Sequence, residues 1–499
     1  MQESIPATLS SVFDISSFRQ EGRQLIDLLS HYLEKMMERE DIPVLPSHTP
    51  DDLYQQWKEK LSQGGQQDFL PIIQQVLDQS LHLHHPRNAG HQVSSPAPLS
   101  ILATLVADLL NNGMAVYETG PVSSVMDRIV IEKVNQVIGY GPESDGIITS
   151  GGTLSNLTAL LAARALKAPD DVWTLGTQTQ YALMVSEEAH YCVDRAARVM
   201  GWGDEGIIKV PTDEQFRMRV DQLPILLQEA RQKDIQVIAV VGSACTTSTG
   251  TYDPLEAIAD FCTHEDLWFH VDGAHGGAAA FSPTHAPQVR GLNRADSITL
   301  DFHKMMLVPA MTTGLLFKNG HDSYRTFSQK AQYLWAEADE IEWYNMAKRT
   351  FECTKRMASL PVYTMMKAYG TEIFGEYVDA CFGIARQFAE MVSANPQLEL
   401  AVVPDANIVC FRFVREGLTR QELDQLNRKI REEIIRRGTF YIVQTQLRGV
   451  HYLRTTFMQA YTHLEDLVQL VDLVIQTGNG LLKKSWDEGR QANSIPSDN

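Results

Sequence analysis

One lysine stands directly after a histidine where an apolar run ends: Ser297 to Leu300 is followed by Asp301, Phe302, His303 and Lys304. A second apolar run, Leu267 to Val271, stops at Asp272, with Gly273, Ala274 and His275 behind it. A third, Ile147 to Thr149, gives way to Ser150, Gly151, Gly152 and Thr153 ahead of a helical pattern. Singly, each has an ordinary reading: a solvated loop lysine, a strand-ending aspartate, an N-cap before a helix. Together they supply an amine, a carboxylate and an anion cradle, the parts that a pyridoxal 5′-phosphate (PLP) site needs.

Each part answers to one feature of that cofactor. The lysine amine condenses with the aldehyde and must be neutral to attack, so burial at a strand end predicts a lowered pKa for Lys304. A carboxylate at Asp272 favours the protonated pyridine nitrogen on which electron withdrawal depends. The phosphate suits the unpaired N–H groups and positive dipole end of a helix starting near Thr153. Gly151 and Gly152 let the backbone come close to it.

In this order the segments resemble the group II PLP-dependent amino-acid decarboxylases, which include glutamate, cysteine sulfinate, aromatic amino-acid and 2,4-diaminobutyrate decarboxylases. The resemblance runs from about Leu83 to the helix after Arg454. It implies the PLP-dependent transferase-like fold (fold type I), with Lys304 and His303 at the cofactor, Asp272 on the pyridine nitrogen and Ala274 against one ring face. His190, in the run Ser186 to Ala197, matches the histidine stacked on the other face. Val193, Ala196, Ala197 and Met200 recur at helical spacing behind it, so His190 falls near a helix start. Thr247, after Cys245 and Thr246, matches a hydroxyl near the Schiff base or the substrate carboxylate; a structural threonine at a strand end is the alternative.

The resemblance also implies a tyrosine on a mobile loop that protonates the carbon left by CO2 loss. Tyr344, ahead of Cys353 to Arg356, matches it, whereas Tyr333 lies among apolar neighbours that suit packing. Arg454 matches an arginine of the C-terminal domain facing the active site, where a guanidinium can hold a carboxylate bidentately. Asn88, His91 and Gln92 fall in the segment that the family places near the substrate side chain; a structural role for them is equally open.

Some residues depart from the pattern. Several relatives carry Asn-Pro before His-Lys, and this chain has Asp301 and Phe302. A carboxylate there repels a phosphate unless it turns away, so Asp301 is given no phosphate-binding role. The run Gly151 to Asn156 and the run Leu453 to Thr456 look like the diaminobutyrate branch. Lys304, Met305 and Met306 look like the glutamate and cysteine sulfinate branch. The substrate expected is therefore an acidic (glutamate, aspartate or cysteine sulfinate) or short diamino (2,4-diaminobutyrate) L-amino acid.

Bulk properties agree with an enzyme of more than one domain: 499 residues, 44% hydrophobic and 21% charged. A net charge of −19 argues against nucleic-acid and anionic-membrane partners. Six scattered cysteines without a CxxC pair favour reduced thiols and a cytoplasmic location. Residues 1–17 lack the pattern of a signal peptide, and no apolar run approaches the ~18 residues of a membrane span. His82, His84 and His85 lack neighbouring carboxylate or thiol ligands, so no metal is assigned.

Three zones follow. Residues 1–85 read as a helical layer, with Leu25, Ile26, Leu28, Leu29, Tyr32, Leu33 and Met36 on one helix face; in the family such a layer packs on a second subunit, giving a homodimer, and in a monomer it would cover the core instead. Residues 86–380 alternate strands and helices, the signature of a mostly parallel α/β sheet domain with right-handed crossovers. Residues 381–492 read as a smaller α+β domain, and 493–499 as a disordered tail. An aminotransferase or β-eliminating lyase on the same fold is the enzymatic alternative, and a non-catalytic scaffold protein the alternative of another class. The scaffold would be expected to have lost Lys304 or Asp272.

Overall fold

A computed structural model of the chain describes residues 6–39, 42–62, 69–327 and 342–492, and the side chains through residue 484. Tyr333 and the tail at 493–499 lie outside the described residues.

The N-terminal zone is helical as expected: Ala7–Val12, Ile15–Glu38, Pro50–Ser62 and Phe69–Gln79. In the second of these, Asp14 caps the start and Met36 is buried, while Ile26 of the predicted face stays exposed. A two-residue strand, β1 (Asn88–Ala89), follows and belongs to the second sheet.

Seven strands then build the main sheet: β2 (Asp145–Thr149), β3 (Tyr181–Ser186), β4 (Ile207–Val210), β5 (Gln236–Ser243), β6 (Trp268–Asp272), β7 (Ser297–Asp301) and β8 (Thr313–Phe317). Their order is β2-β8-β7-β6-β5-β3-β4. The run from β4 to β7 is parallel, and β8 is antiparallel to both of its neighbours. Helices cover both faces, so the central strands are buried on each side and read as continuous apolar runs such as Val237–Val241. One core lies on each face, gathered around Val240, Val271 and Ile298 on one and Val241, Leu183 and Leu315 on the other.

The C-terminal part adds β9 (Leu398–Leu400), β10 (Ile408–Phe413), β11 (Tyr441–Leu447) and β12 (Val450–Thr456). With β1 they form a second sheet, ordered β1-β11-β12-β10-β9. The helices Glu372–Ala394, Arg420–Arg437 and Leu464–Ala492 pack on it around Phe388, Phe411 and Ile430. The residues just before the main sheet thus reach across to the C-terminal sheet, since Asn88 registers with Tyr441 and Ala89 with Ile442.

Because β8 is antiparallel to both β2 and β7, strands β2, β3, β5, β6 and β7 all end on the same side. Open α/β sheets bind ligands at that edge. Every predicted cofactor residue of the main sheet forms or follows one of those five ends.

Candidate active site

The strand ends and the turns behind them enclose a cavity of about 490 Å³. It is lined by Gly151, Gly152 and Thr153 after β2, His190 after β3, Thr247 after β5, Asp272 and Ala274 from β6, and His303 and Lys304 after β7. The structure therefore brings together nine of the predicted residues from five separate strands.

The cradle is built by a helix without a cap. Helix Gly152–Lys167 has Gly151 at its N-cap position and no side-chain cap, so its leading N–H groups are left for an anion. Gly151 has φ +125°, which a residue with a Cβ adopts only under strain. A Cβ at Gly152 would stand 3.0 Å from Asp301 Oδ1, so only glycine fits there without a shift.

Asp272 ends β6 half-buried. Its Oδ1 accepts the Ala274 N–H at 3.2 Å and its Oδ2 accepts the Asn156 amide at 3.0 Å. The Cys192 thiol lies 4.0 Å from the same oxygen. His190 is the N-cap of helix Tyr191–Val199, its Nδ1 accepting the Cys192 N–H at 3.4 Å. Burial lowers its pKa, with Asp272 acting the other way. The ligand atoms of His190, Cys192 and Asp272 all lie within 4.8 Å of one another.

Lys304 corrects one expectation. Burial does act to lower its pKa, but Asp301 and Asp272 outweigh it and hold the ammonium above the usual lysine value. Asp301 is the nearer: its Oδ2 is 3.0 Å from Lys304 Nζ. Nor does Asp301 turn away from the cradle. It lines the cavity, with Oδ1 accepting the Thr313 hydroxyl at 2.5 Å.

Five predicted residues do not line the cavity. Tyr344 packs edge-on against Tyr117, with ring centroids 5.5 Å apart, and is not among the residues that line the cavity. Asn88 and Gln92 are buried in the crossing segment, and His91 is exposed beside Tyr441. That segment touches the site indirectly, through Ser94 Oγ donating to the His303 carbonyl at 3.1 Å. Arg454 adjoins the wall: its Nη1 donates to the Thr247 carbonyl at 2.7 Å.

Sequence reasoning missed Asn156 and His270. His270 sits two residues before Asp272 on β6, hence on the same sheet face. Its Nε2 meets Asn156 Oδ1 at 2.8 Å and its Nδ1 meets Ser297 Oγ at 2.8 Å. The signal available was a histidine inside an otherwise apolar strand, and an asparagine one turn into the helix.

An uncapped anion cradle, a carboxylate and a lysine on one cavity fit a phosphorylated pyridine aldehyde, and Asp301 is the one group at odds with a dianion. Comparison with known proteins agrees. The family model described as the pyridoxal-dependent decarboxylase conserved domain matches residues 50–414. The L-2,4-diaminobutyrate decarboxylase of Acinetobacter baumannii is 29% identical over 431 residues, 83% of this chain and 84% of that protein. The cysteine sulfinic acid decarboxylase of Mus musculus is 29% identical over 409 residues, 79% and 82% of the two chains. Among solved structures, Oryza sativa TDC with PLP and tryptamine shares the fold, with a TM-score of 0.85, 20% identity, and 94% of this chain and 99% of that one covered.

Proposed function

The chain belongs to the pyridoxal-dependent decarboxylase family and is a PLP-dependent amino-acid decarboxylase of fold type I, and from that premise we propose that it acts on an L-amino acid with an acidic side chain. The observation that carries the substrate class is Arg454. It is 7% exposed, makes no ion pair among the described residues, and its Nε has no hydrogen-bond partner. A buried guanidinium without a counter-ion is costly, and a side-chain carboxylate of the substrate reaching this wall would supply one. A short diamino acid is the second reading, favoured by the likeness to the Acinetobacter enzyme.

When bound, the cofactor supplies an electron sink for the pair left at Cα by loss of CO2. The chain's residues divide the remaining work. Gly151, Gly152, Thr153 and His303 hold the phosphate, and Lys304 provides the amine for covalent attachment. Asp272 keeps a proton on the ring nitrogen by offering it a fixed negative charge. His190 and Ala274 confine the ring from its two faces. The Thr247 hydroxyl orients the substrate near the wall that Arg454 braces. Asn88, His91 and Gln92 act further out, along the approach to Arg454.

A second copy of the chain is the proposed partner. Helix Pro98–Leu110 presents Leu102, Leu105, Val106, Leu109 and Leu110 to solvent, each at least 47% exposed, and Val122 and Ile129 of the helix Pro121–Ile138 are exposed as well. Contiguous apolar surface of this kind marks an interface. Tyr344 and Tyr117 lie beside it, so Tyr344 would deliver its proton in the partner's cavity. All six cysteines are free thiols, which supports a reducing compartment and the cytoplasm. No described helix is long and apolar enough to cross a membrane.

Release of CO2 from a panel of L-amino acids tests the substrate. Glutamate, aspartate or cysteine sulfinate should be turned over, and Arg454→Met should raise KM for that substrate by ~10-fold or more. Turnover confined to 2,4-diaminobutyrate would establish the second reading. Rapid keto-acid exchange without CO2 release would contradict decarboxylation itself.

A further inference from the structure

We propose that Asp301 takes up a proton together with the phosphate group, so that the anion at the Gly151–Thr153 turn is held through a proton shared with this carboxyl. The proposal rests on the assignment of that turn to the phosphate.

Asp301 occupies the place where an anion would be received. It ends β7 at 2% exposure, and a Cβ on Gly152 would stand 3.0 and 3.1 Å from its two oxygens. The carboxylate thus leans on the first turn of the helix Gly152–Lys167. It is fixed there by the Thr313 hydroxyl on Oδ1 and by Lys304 on Oδ2, so rotating away would break both contacts.

The surrounding charges leave nothing spare for a dianion. From its own segment Asp301 faces Lys304 at 3.0 Å and His303 Nε2 at 3.8 Å. From the neighbouring strands and loops it acts electrostatically on His190, Cys192 and His275, and it shares Lys304 with Asp272. One ammonium therefore already answers two carboxylates before any phosphate arrives. His303 has its Nδ1 engaged by the backbone of Thr312, and its Nε2 already faces Asp301. Two anions in contact do not both stay ionised, and one gains a proton. Protonation also turns Asp301 from a repelling acceptor into an O–H donor toward a phosphate oxygen.

The sign of the effect follows. Without a ligand, burial pushes Asp301 up, but Lys304 and His303 outweigh it and hold the group below the usual carboxylate range. Above the second phosphate pKa of about 6, both partners are fully ionised when apart. Binding then removes one proton from solvent, no covalent bond forming or breaking. Affinity falls about tenfold for each unit of rising pH.

The test uses the full-length apoenzyme and pyridoxine 5′-phosphate, whose alcohol cannot condense with Lys304, with pyridoxine as the control lacking phosphate. Titration calorimetry near pH 8 in two buffers of different ionisation heat should count about one proton taken up with the phosphate ester and none with pyridoxine. Between about pH 7 and 9 the Kd should weaken by roughly 10²-fold. In Asp301→Asn the uptake should vanish and the Kd should become tighter and flat with pH. Binding of the ester without proton uptake by the wild type would overturn the proposal, as would uptake retained in Asp301→Asn, which would put the proton on His303. The wild-type count decides the matter even if the variant does not fold. Ester and pyridoxine binding equally would instead overturn the phosphate assignment, and the proposal with it.

Discussion

Asn156 donates from Nδ2 to Asp272 Oδ2 across 3.0 Å, and that contact ends a one-way series of hydrogen bonds. It begins at Trp268 Nε1, which donates to Ser297 Oγ at 2.9 Å, and continues through His270 to Asn156. An indole can only donate and a carboxylate only accept, so the two ends set the direction. Asn156 must then turn its carbonyl to His270, whose Nε2 carries the proton while Nδ1 accepts from Ser297. Burial holds His270 neutral by pushing its pKa down to about 4.

Removing the middle of that series should be costly. Asn156→Ala strands a buried His270 N–H and deprives Asp272 of a donor, at about 1–3 kcal/mol of stability per unsatisfied group. Urea denaturation should register the loss, and cofactor titration a weaker Kd. A variant as stable and as tightly loaded as the wild type would show that the series is incidental.

The neutrality of His270 has a pH consequence. An unfolded histidine protonates near 6.5, whereas His270 resists until about 4. The unfolded chain therefore binds the extra proton between those values, and stability is lost as pH falls through that window. For this residue the loss between pH 7 and pH 5 is about 2 kcal/mol. His275, pushed down to about 3, and His85, to about 4, act in the same direction. His270→Gln should flatten only its own share, so the gap between variant and wild-type stability should narrow on acidification. A constant gap would contradict a neutral His270.

Variants of Lys304 and Asp272 should separate attachment from catalysis. Borohydride treatment of the loaded enzyme should fix the cofactor on the peptide carrying Lys304, and Lys304→Ala should abolish the adduct. Asp272→Asn should keep the adduct yet lose ~10²-fold or more in turnover, because an amide offers no charge to a protonated ring nitrogen. Label on Lys318, or an Asn variant of normal rate, would contradict these roles.

The parts of this arrangement that local patterning encodes were legible in the sequence. Strands β5, β6 and β7 are buried on both faces, so their apolar runs announce them, and Asp272 and Lys304 stand where those runs stop. By contrast, β4 is an edge strand carrying Lys209, and its pattern is weak. Asn156 and His270 are 114 residues apart and acquire meaning only when the helix Gly152–Lys167 lies on β6. The charge of Lys304 is not legible in the sequence for a related reason. Burial can be inferred from one segment, but the opposing carboxylates come from two strand ends, and their sum requires the fold.

Tyr344 carries the sharpest remaining test, because its own chain does not place it on the cavity. It packs on Tyr117, while Trp343 lies beneath the Arg128 guanidinium at 4.7 Å. Arg128 shares the helix Pro121–Ile138 with Val125 and Ile129, both exposed apolar residues. If that face is covered by a second copy, Tyr344 serves the partner's Lys304. Tyr344→Phe should then retain cofactor and substrate but protonate the wrong carbon or admit oxygen, giving carbonyl by-products. Co-expression of Tyr344→Phe with Lys304→Ala supplies the decisive arrangement. A mixed dimer holds one site with an intact lysine from one copy and an intact tyrosine from the other, so clean decarboxylation should return at up to half the wild-type rate per dimer. If the mixture behaves like Tyr344→Phe alone, the tyrosine does not act across the interface, and its contact with Tyr117 is packing only.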